Sequence, residues 1–201
     1  MKITRIEAQV KAKGRYSVFV DDKFAFGISE LGLINSGLKI GAELDEAELA
    51  SLKEAANTDK TYNMVLALIA RRPRSKWELE DYLKRKKVDP VAVSEIMDRL
   101  GDRGFIDDKE FASRWVENRR LLKSISKRKL ELELRTKRIS DSIIREVLAE
   151  DKVDEFEVLK AEVEKKRRQP KYQDDLKLMQ YLARQGYTYD DIKRALADDA
   201  G

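Results

Sequence analysis

Cysteine and histidine are absent from this chain of 201 residues. The sequence can therefore form no disulfide, and it lacks thiolate nucleophiles, imidazole bases and the usual ligands of zinc sites. No glycine-rich phosphate-binding loop is present either, which disfavours nucleotide hydrolysis. These absences predict a protein that is not an enzyme and that uses no cofactor and no metal.

Long apolar runs are also absent. No segment approaches the roughly twenty apolar residues that a membrane-spanning helix requires. The first five residues, MKITR, lead into a polar alternating stretch and not into a signal peptide. We therefore expect a soluble, cytoplasmic protein without a membrane segment.

Positive and negative charges are nearly balanced, with 42 Lys and Arg against 38 Asp and Glu, a net charge of +4. This balance alone is a weak indication of a polyanionic partner. The distribution is more informative, because residues 1–60 carry nine cations and ten acids, which leaves 33 cations and 28 acids for the remainder. Residues 118–138 hold nine cations and two acids. The excess positive charge therefore lies in the last two thirds of the chain.

One helical pattern occurs three times in those two thirds. Its marker is a pair of leucines spaced i,i+4, on one helix face, at intervals of roughly fifty residues. The pairs are Leu79/Leu83, Leu130/Leu134 and Leu178/Leu182. A helix ending in cations precedes each pair, and a polar helix start with a third apolar-periodic segment follows it. The pattern predicts three tandem three-helix repeats in which these leucines are buried.

The first sixty residues have a different pattern. Short alternating runs at residues 3–8, 16–20 and 24–26 predict a small β-hairpin or meander with a tight turn at 21–23. Asp45 and Glu48 have the capping-box spacing for a helix that we expect to end near Ala56. The predicted fold is mainly α, with three tandem three-helix repeats preceded by a small N-terminal β-hairpin extension. The predicted domains are residues 1–58 for the hairpin and helical cap, then repeats at 59–106, 107–150 and 151–201.

Acidic pairs that could suggest catalysis occur at predicted helix starts. Ser75 with Glu78 has the capping-box spacing, as does Asp107 with Glu110, and Pro90 follows a capping Asp89. We therefore assign the doublets at 107–108, 174–175 and 190–191 to capping and not to acid/base or metal chemistry. The GDRG sequence at 101–104 matches the G-x-x-G loop of KH domains, but a glycine helix end is expected here.

Most aromatic residues lie on the apolar stripes, so we assign them to the core. They are Trp77, Tyr82, Phe105, Phe111, Trp115, Phe156, Tyr181 and Tyr187. Stacking on nucleic-acid bases requires exposed aromatic side chains beside cations, and only Tyr172 and Tyr189 are candidates for that role.

Clusters of cations form the candidate binding site, and two interpretations of them are open. Cations in the last turn of a helix are stabilised by its dipole by about 0.3–1 kcal/mol each whatever the protein does. Equivalent clusters on three stacked repeats would also form a continuous cationic edge for a polyanion. We predict the second role for the whole set, which comprises Arg71, Arg72, Arg74, Arg119, Arg120, Lys123, Lys127, Arg128, Lys165, Lys166, Arg167 and Arg168.

Three sequence blocks resemble the RecX family, and the resemblance spans essentially the whole chain. The blocks are residues 72–79 (RPRSKWEL) followed by Leu83, residues 104–108 (GFIDD) followed by Phe111, Trp115 and Arg119, and residues 181–187 (YLARQGY) followed by Ile192 and Leu196. The first two blocks are the specific ones. Residues 16–27 also resemble the β-hairpin extension found in many members of the family.

The resemblance implies a bacterial, non-enzymatic regulator that binds the RecA recombinase. Such a protein lies along the groove of the RecA–DNA filament and usually limits filament growth and recombinase activity. The expected partners are therefore the RecA filament and single- and double-stranded DNA, and we expect a monomer. The chain departs from the family pattern at one feature. The family often has glycine at the end of the second helix of a repeat. This chain has that glycine in the third repeat, at Gly186, but has Lys87 in the first repeat and Arg138 in the second. A left-handed helix end is therefore in doubt at Lys87 and Arg138.

Two other functions fit the same composition. A sequence-independent nucleic-acid-binding protein would use the basic edge without a recombinase. A helical-repeat scaffold would bind other proteins and be indifferent to DNA. The family resemblance favours the recombinase regulator over both alternatives.

Overall fold

The computed structural model describes residues 1–199, so the predicted end of the third repeat at 200–201 lies outside the described residues. The first elements are the strands β1 (Ile3–Ala8), β2 (Arg15–Val20) and β3 (Lys23–Ser29). The helices are α1 (Glu30–Ser36), α2 (Glu46–Ile69), α3 (Lys76–Arg85), α4 (Pro90–Asp102), α5 (Asp108–Leu122), α6 (Lys127–Thr136), α7 (Asp141–Glu150), α8 (Glu155–Arg167), α9 (Asp175–Arg184) and α10 (Tyr189–Asp199), with a short 3-10 helix at Pro170–Tyr172. The predicted fold class is confirmed.

The N-terminal extension is a three-stranded antiparallel sheet in the order β1-β2-β3. Asp21 and Asp22 both have positive φ, at 47° and 61°, in the two-residue turn between β2 and β3. A left-handed turn of this kind matches the twist of a hairpin, and aspartate tolerates it better than most residues. Ile3, Val18 and other inward-facing side chains of the sheet form a core with Ala56 of α2.

Helix α2 is longer than the sequence indicated, since it continues beyond Ala56 to Ile69. The prediction of a helix end near Ala56 is therefore wrong, and residue 58 lies inside a continuous helix. The polar residues that suggested a break instead bond to the helix itself: Thr61 Oγ1 donates to the carbonyl oxygen of Asn57 at 2.9 Å, and Asn63 Nδ2 donates to that of Asp59 at 2.9 Å. Such side-chain bonds to the preceding turn allow polar residues within a helix.

The described residues form two compact units, one of residues 1–73 and 83–105 and the other of residues 74–82 and 106–199. The second unit contains two hydrophobic cores, one made by α5, α6 and α7 and one made by α8, α9 and α10. All six marker leucines are fully buried, as predicted. Between residue 61 and residue 199 the structure contains no strand.

Helix starts follow the predicted caps. Asp45 and Glu48 form a reciprocal capping box, and so do Ser75 and Glu78, whose two bonds are both 3.3 Å long. Asp107 Oδ1 accepts from the backbone N–H groups of Lys109 and Glu110. The predicted acidic doublets at 107–108, 174–175 and 190–191 each lie at the start of a helix, and Asp107 and Asp174 accept from backbone N–H groups there.

The second helix of every repeat ends in the left-handed conformation, including the two that lack glycine. The φ angles are 56° at Lys87, 58° at Arg138 and 93° at Gly186. In each case the next residue donates its backbone N–H to the second leucine of the marker pair, at 3.2, 3.2 and 3.4 Å. The doubt about Lys87 and Arg138 was therefore misplaced, because this bond pattern satisfies the last carbonyl groups of the helix.

Gly186 is the position where glycine is sterically required. A Cβ built on Gly186 would lie 2.9 Å from Lys129 Cβ and would collide with Ser126 Oγ. The backbone N–H of Ser126 also donates to the carbonyl oxygen of Gln185 at 3.1 Å. The end of α9 therefore packs directly on the start of α6, which leaves no room for a side chain.

Candidate nucleic-acid interface

Arg120 was predicted to be part of an exposed basic surface, but it is largely buried. Its Nε and Nη2 atoms donate to Asp151 Oδ2 at 3.0 and 2.7 Å, and Nη1 donates to the carbonyl oxygen of Ile125 at 2.6 Å. The side chains of Arg120 and Asp151 are only 10% and 4% exposed. The expectation that Arg120 is exposed is therefore wrong, because this guanidinium connects α5 to the segment that follows α7.

Arg119 is also paired within its own repeat. Its Nε donates to Glu133 Oε2 at 2.7 Å, and the same oxygen accepts from Trp115 Nε1 at 2.9 Å. The guanidinium lies over the Trp115 ring, with its Cζ 4.6 Å from the ring centroid. These contacts hold Arg119 half-buried between α5 and α6, in an ion pair that a ligand would have to break.

The cations at the end of α8, residues 165–168, are also partly paired within the protein. Arg167 pairs with Asp175 and Asp199, and the hydrogen bond to Asp175 raises the pKa of the Arg167 guanidinium. Lys166 lies 3.7 Å from the buried Glu162 carboxylate and 4.7 Å from the centroid of the Tyr181 ring. The neighbouring Lys165 and Arg168 are exposed, so only part of this cluster faces solvent.

The buried carboxylate of Glu162 explains why the Lys166 side chain is half-buried. This carboxylate also accepts from the Tyr181 hydroxyl at 2.7 Å. Burial, followed by this hydrogen bond, raises the pKa of Tyr181 above its ordinary value. A buried carboxylate requires compensating donors and positive charge, and Tyr181 and Lys166 supply them.

The remaining predicted cations are mostly exposed. In the first unit Arg71 and Arg72 are exposed, and Arg72 Nη1 donates to the carbonyl oxygen of Pro73 at 3.0 Å. In the second unit Arg74 is half-buried, and its Nε has no hydrogen-bond partner among the described residues. Lys123 and Arg128 of the second unit are exposed as predicted, whereas Lys127 is half-buried, with Nζ donating to the carbonyl oxygen of Asp151 at 2.8 Å.

The first turn of α6 carries three cations at the end of a helix where the dipole disfavours them. Lys127, Arg128 and Lys129 directly follow the capping residue Ser126, and this turn contains no acidic residue. Helix dipoles stabilise cations at the C-terminal end and anions at the N-terminal end. The explanation that suffices for Arg119, Arg120 and Lys165–Arg167 therefore cannot account for this turn. Two of its backbone N–H groups are satisfied, that of Lys129 by Ser126 Oγ at 3.1 Å and that of Lys127 by Glu155 Oε2 at 3.0 Å.

Two cations near this turn were not among the predicted site residues. Lys129 follows Arg128 in the same turn, and its Cβ lies close to Gly186. Arg184 is exposed in the last turn of α9, next to Gln185, which accepts from Ser126. Lys129 is part of the dense cationic run in the sequence, but nothing in the sequence indicates that Arg184 lies near α6. The cations of this region are named here the α6 patch and are the exposed Lys123, Arg128 and Arg184 together with the half-buried Lys129.

The aromatic predictions have mixed outcomes. Tyr172 is 9% exposed and packs at 5.2 Å against the Tyr181 ring, so its proposed role in base stacking is wrong. Tyr189 is exposed, with Lys193 Nζ 4.9 Å from its ring centroid. Trp77 and Phe105 were assigned to the core but are 39% and 46% exposed.

An apolar feature that the sequence analysis missed lies beside the α6 patch. Leu121 and Leu122, in the last turn of α5, are 83% and 76% exposed, and they directly precede the exposed Lys123. Two adjacent exposed leucines are unusual at a surface that contacts only polar phosphates, because apolar side chains gain free energy by leaving water. This part of the chain therefore combines positive charge with apolar surface.

Four family models match the chain in succession. They are the N-terminal domain of regulatory protein RecX at residues 1–45, and the first, second and third RecX three-helix domains at residues 62–100, 107–148 and 153–196. The chain belongs to the RecX family. The four matches correspond to the sheet extension and to the three repeats.

Curated RecX relatives and solved RecX structures agree with this assignment. The chain is 32% identical to regulatory protein RecX of Bacillus subtilis over 96% of its own length and 75% of that protein. It is 36% identical to RecX of Listeria welshimeri over 75% of its own length, but this alignment spans only 56% of the Listeria protein. A crystal structure of regulatory protein RecX is similar, with a TM-score of 0.75, 28% identity and 98% coverage of both chains. The crystal structure of RecX from Lactobacillus salivarius has a TM-score of 0.61 at 26% identity, covering 72% of this chain and 97% of that one.

Within residues 1–199, no helix has both the length and the apolar character needed to cross a membrane.

Proposed function

We propose that this protein regulates the RecA recombinase, usually as an inhibitor, by binding along the RecA–DNA filament in the cytoplasm. The observation that carries this proposal is membership of the RecX family across four consecutive domains. The protein acts as a monomer and without catalysis, so its effect comes from binding alone. Several weak contacts spread over neighbouring recombinase subunits would favour the filament over free recombinase, because linked contacts raise the effective concentration.

The α6 patch supports a role in contacting the filament's DNA. Two of its cations, Arg128 and Lys129, lie in the first turn of α6, where the helix dipole disfavours them, so their presence is not explained by the stability of α6. Of the originally predicted residues, the proposal retains the exposed Arg71, Arg72, Lys123, Arg128, Lys165 and Arg168. It assigns the paired Arg119, Arg120, Lys166 and Arg167 to stability.

The exposed leucines support a role in contacting the recombinase itself. Leu121 and Leu122 provide apolar area at the edge of the α6 patch, and apolar area favours a protein surface over a phosphate backbone. The two kinds of residue therefore make separable contributions. Cations should govern the dependence on salt, and leucines should govern discrimination between coated and bare DNA.

A pair of matched charge variants tests the proposal. Lys123→Gln with Arg128→Gln removes two cations of the α6 patch, and Lys177→Gln with Lys193→Gln removes two exposed cations elsewhere in the same unit. We expect the first variant to inhibit RecA strand exchange and ATPase activity less than the wild type, and the second to inhibit normally. Binding to RecA-coated single strand should exceed binding to bare strand or to free RecA.

The leucines provide the second half of this test. Leu121→Ser with Leu122→Ser should reduce binding to RecA-coated strand while leaving binding to bare strand unchanged. Equal affinity of the wild type for coated and bare strand would instead identify a general nucleic-acid-binding protein. Absence of binding to either form of DNA would leave a scaffold for other proteins as the better explanation.

A further inference from the structure

A pocket in the first unit has a basic lining. It has a volume of about 460 Å³ and is bounded by the β1–β2 turn, the start of α1, one face of α2 and the end of α4. Four cations contribute to its wall, namely Lys13, Arg15, Arg99 and Arg103. The carboxylates of Glu30 and Asp59 also line it, so the wall has a net formal charge of +2.

Helix α2 forms the floor of this pocket through Asp59, Tyr62, Asn63 and Leu66. These positions have the i, i+3, i+4, i+7 spacing of a single helix face. Gly14, with φ of 72°, allows the tight β1–β2 turn that brings Lys13 and Arg15 to the rim. The pocket therefore requires the sheet extension and the first repeat together.

Two of the four cations are held by an ion pair or a hydrogen bond within the protein. Arg99 lies 3.7 Å from Asp59, and its Cζ is 4.0 Å from the centroid of the Tyr62 ring. Arg15 Nη2 donates to the carbonyl oxygen of Gly27 at 3.1 Å. Lys13 and Arg103 are exposed, and neither forms an ion pair with any described residue; Arg103 Cζ lies 5.7 Å from the centroid of the Tyr62 ring. The charge available to a ligand therefore resides on Lys13 and Arg103.

The pocket also contains a tyrosine, Tyr62, whose hydroxyl is unsatisfied in the described part of the chain. Its side chain lines the pocket and is 2% exposed, yet its hydroxyl has no hydrogen-bond partner among residues 1–199. A buried hydroxyl without a partner is unfavourable, and such groups are uncommon in native structures. Among the described residues, the pocket thus combines two cations that form no ion pair with a lining tyrosine whose buried hydroxyl has no partner.

We propose that this pocket binds a phosphate group of a nucleic-acid backbone, with Lys13 and Arg103 supplying charge and the Tyr62 hydroxyl donating a hydrogen bond. A phosphodiester carries one negative charge, which suits a wall of net charge +2 that includes two carboxylates. A free diphosphate presents the same phosphate oxygens with more negative charge, so it is the competing ligand that the experiment must distinguish. The site belongs to the first unit and the α6 patch to the second, and the proposal holds whether or not the protein regulates a recombinase.

Salt titration of the full chain with a labelled single-stranded oligodeoxythymidylate tests the charged groups. Lys13→Gln with Arg103→Gln removes the two unpaired cations, and Lys23→Gln with Lys39→Gln removes two exposed cations of the same unit outside the pocket. Loss of one phosphate contact makes the slope of log affinity against log salt shallower by about 0.7. We expect this change in the pocket variant only. Equal changes in both variants would overturn the proposal.

Tyr62→Phe tests the hydroxyl, because it keeps the ring on which Arg99 stacks. We expect its affinity for the oligonucleotide to fall severalfold while its urea midpoint does not fall, since the removed group has no partner in the free protein. Wild-type affinity in Tyr62→Phe would exclude the hydroxyl from the site. Inorganic pyrophosphate is the second probe. If it raises the melting temperature of the wild type but not of the pocket variant, while both bind DNA equally, the nucleic-acid assignment is wrong.

Discussion

Arg120 stabilises the fold through a buried ion pair, although its charge suggested a role in ligand binding. Its ion pair with Asp151 is almost fully buried, so removing either partner leaves an uncompensated charge inside the protein. We predict that Arg120→Ala lowers the free energy of unfolding by about 3–5 kcal/mol, the usual loss for one partner of a buried pair. Urea denaturation measures the change.

Arg128→Ala is the control for that prediction, because Arg128 is exposed and eight residues further along the chain. Its effect should stay within about ±0.5 kcal/mol. Replacing both partners by apolar residues, as in Arg120→Met with Asp151→Leu, should recover much of the lost stability. If Arg120→Ala proves as mild as Arg128→Ala, the pair is not structural.

Tyr187, like Tyr181, makes the protein less stable at alkaline pH. Burial, and to a smaller extent the Glu155 carboxylate, raises the pKa of Tyr187. The folded protein therefore keeps the phenolic proton at a pH where the unfolded chain has released it. Stability is full below the ordinary tyrosine pKa of about 10 and falls as the pH rises above it. The urea midpoint should therefore stay constant up to about pH 10 and fall as the pH rises further.

Tyr187→Phe should reduce this alkaline loss. The Tyr187 hydroxyl is buried without a partner among the described residues, so its removal should not lower the midpoint at pH 8. Tyr189→Phe, at an exposed position, should leave the pH dependence as in the wild type. An identical alkaline loss in Tyr187→Phe and the wild type would assign the effect to other groups.

At the scale of helices, the three left-handed ends provide a matched comparison. Arg138 adopts φ of 58° with a full side chain, which costs an L-residue roughly 1–2 kcal/mol. Glycine removes that cost but adds freedom to the unfolded chain, worth about 0.5–1 kcal/mol. We therefore predict that Arg138→Gly is stabilising by about 0.5–1 kcal/mol in thermal or urea unfolding.

The reverse change at the third repeat should be strongly unfavourable. Gly186→Ala places a Cβ against Ser126 and Lys129, which lie at the start of α6 and cannot both move without disturbing its cap. A loss of at least about 2 kcal/mol is expected, in the range of overpacking strain. Gly37→Ala controls for the conformation alone, because Gly37 also has positive φ, at 63°, but open space around it.

Secondary structure was largely predictable because its causes are local. The leucine pairs, the caps at Asp45, Ser75 and Asp107, and the turn at 21–23 each act within a few residues, and the structure confirms them. The end of α2 was not predictable in this way. Asn57, Thr58 and Asp59 are typical of helix boundaries, but tertiary packing buries Thr58 and Thr61 and continues the helix.

At the scale of the whole molecule, the candidate site was only partly predictable. The cationic run at 118–138 was visible in the sequence, but the sequence could not separate exposed cations from paired ones. Arg120 pairs with a residue 31 positions away and Arg167 with one 32 positions away. The basic pocket of the first unit was invisible for the same reason, because the residues that form it are spread from Lys13 to Arg103.

The second and third repeats depend on each other through contacts made by residues 151 and 155. Asp151 and Glu155 belong to the predicted third repeat, yet Asp151 neutralises Arg120 and Glu155 accepts from the backbone N–H of Lys127 at 3.0 Å. A fragment truncated at residue 150 would leave that charge and that donor exposed or unpaired. Gene fusions, deletions or shuffling that separate the second repeat from the third should therefore yield aggregation-prone products. In evolution these two repeats should be gained or lost as a pair.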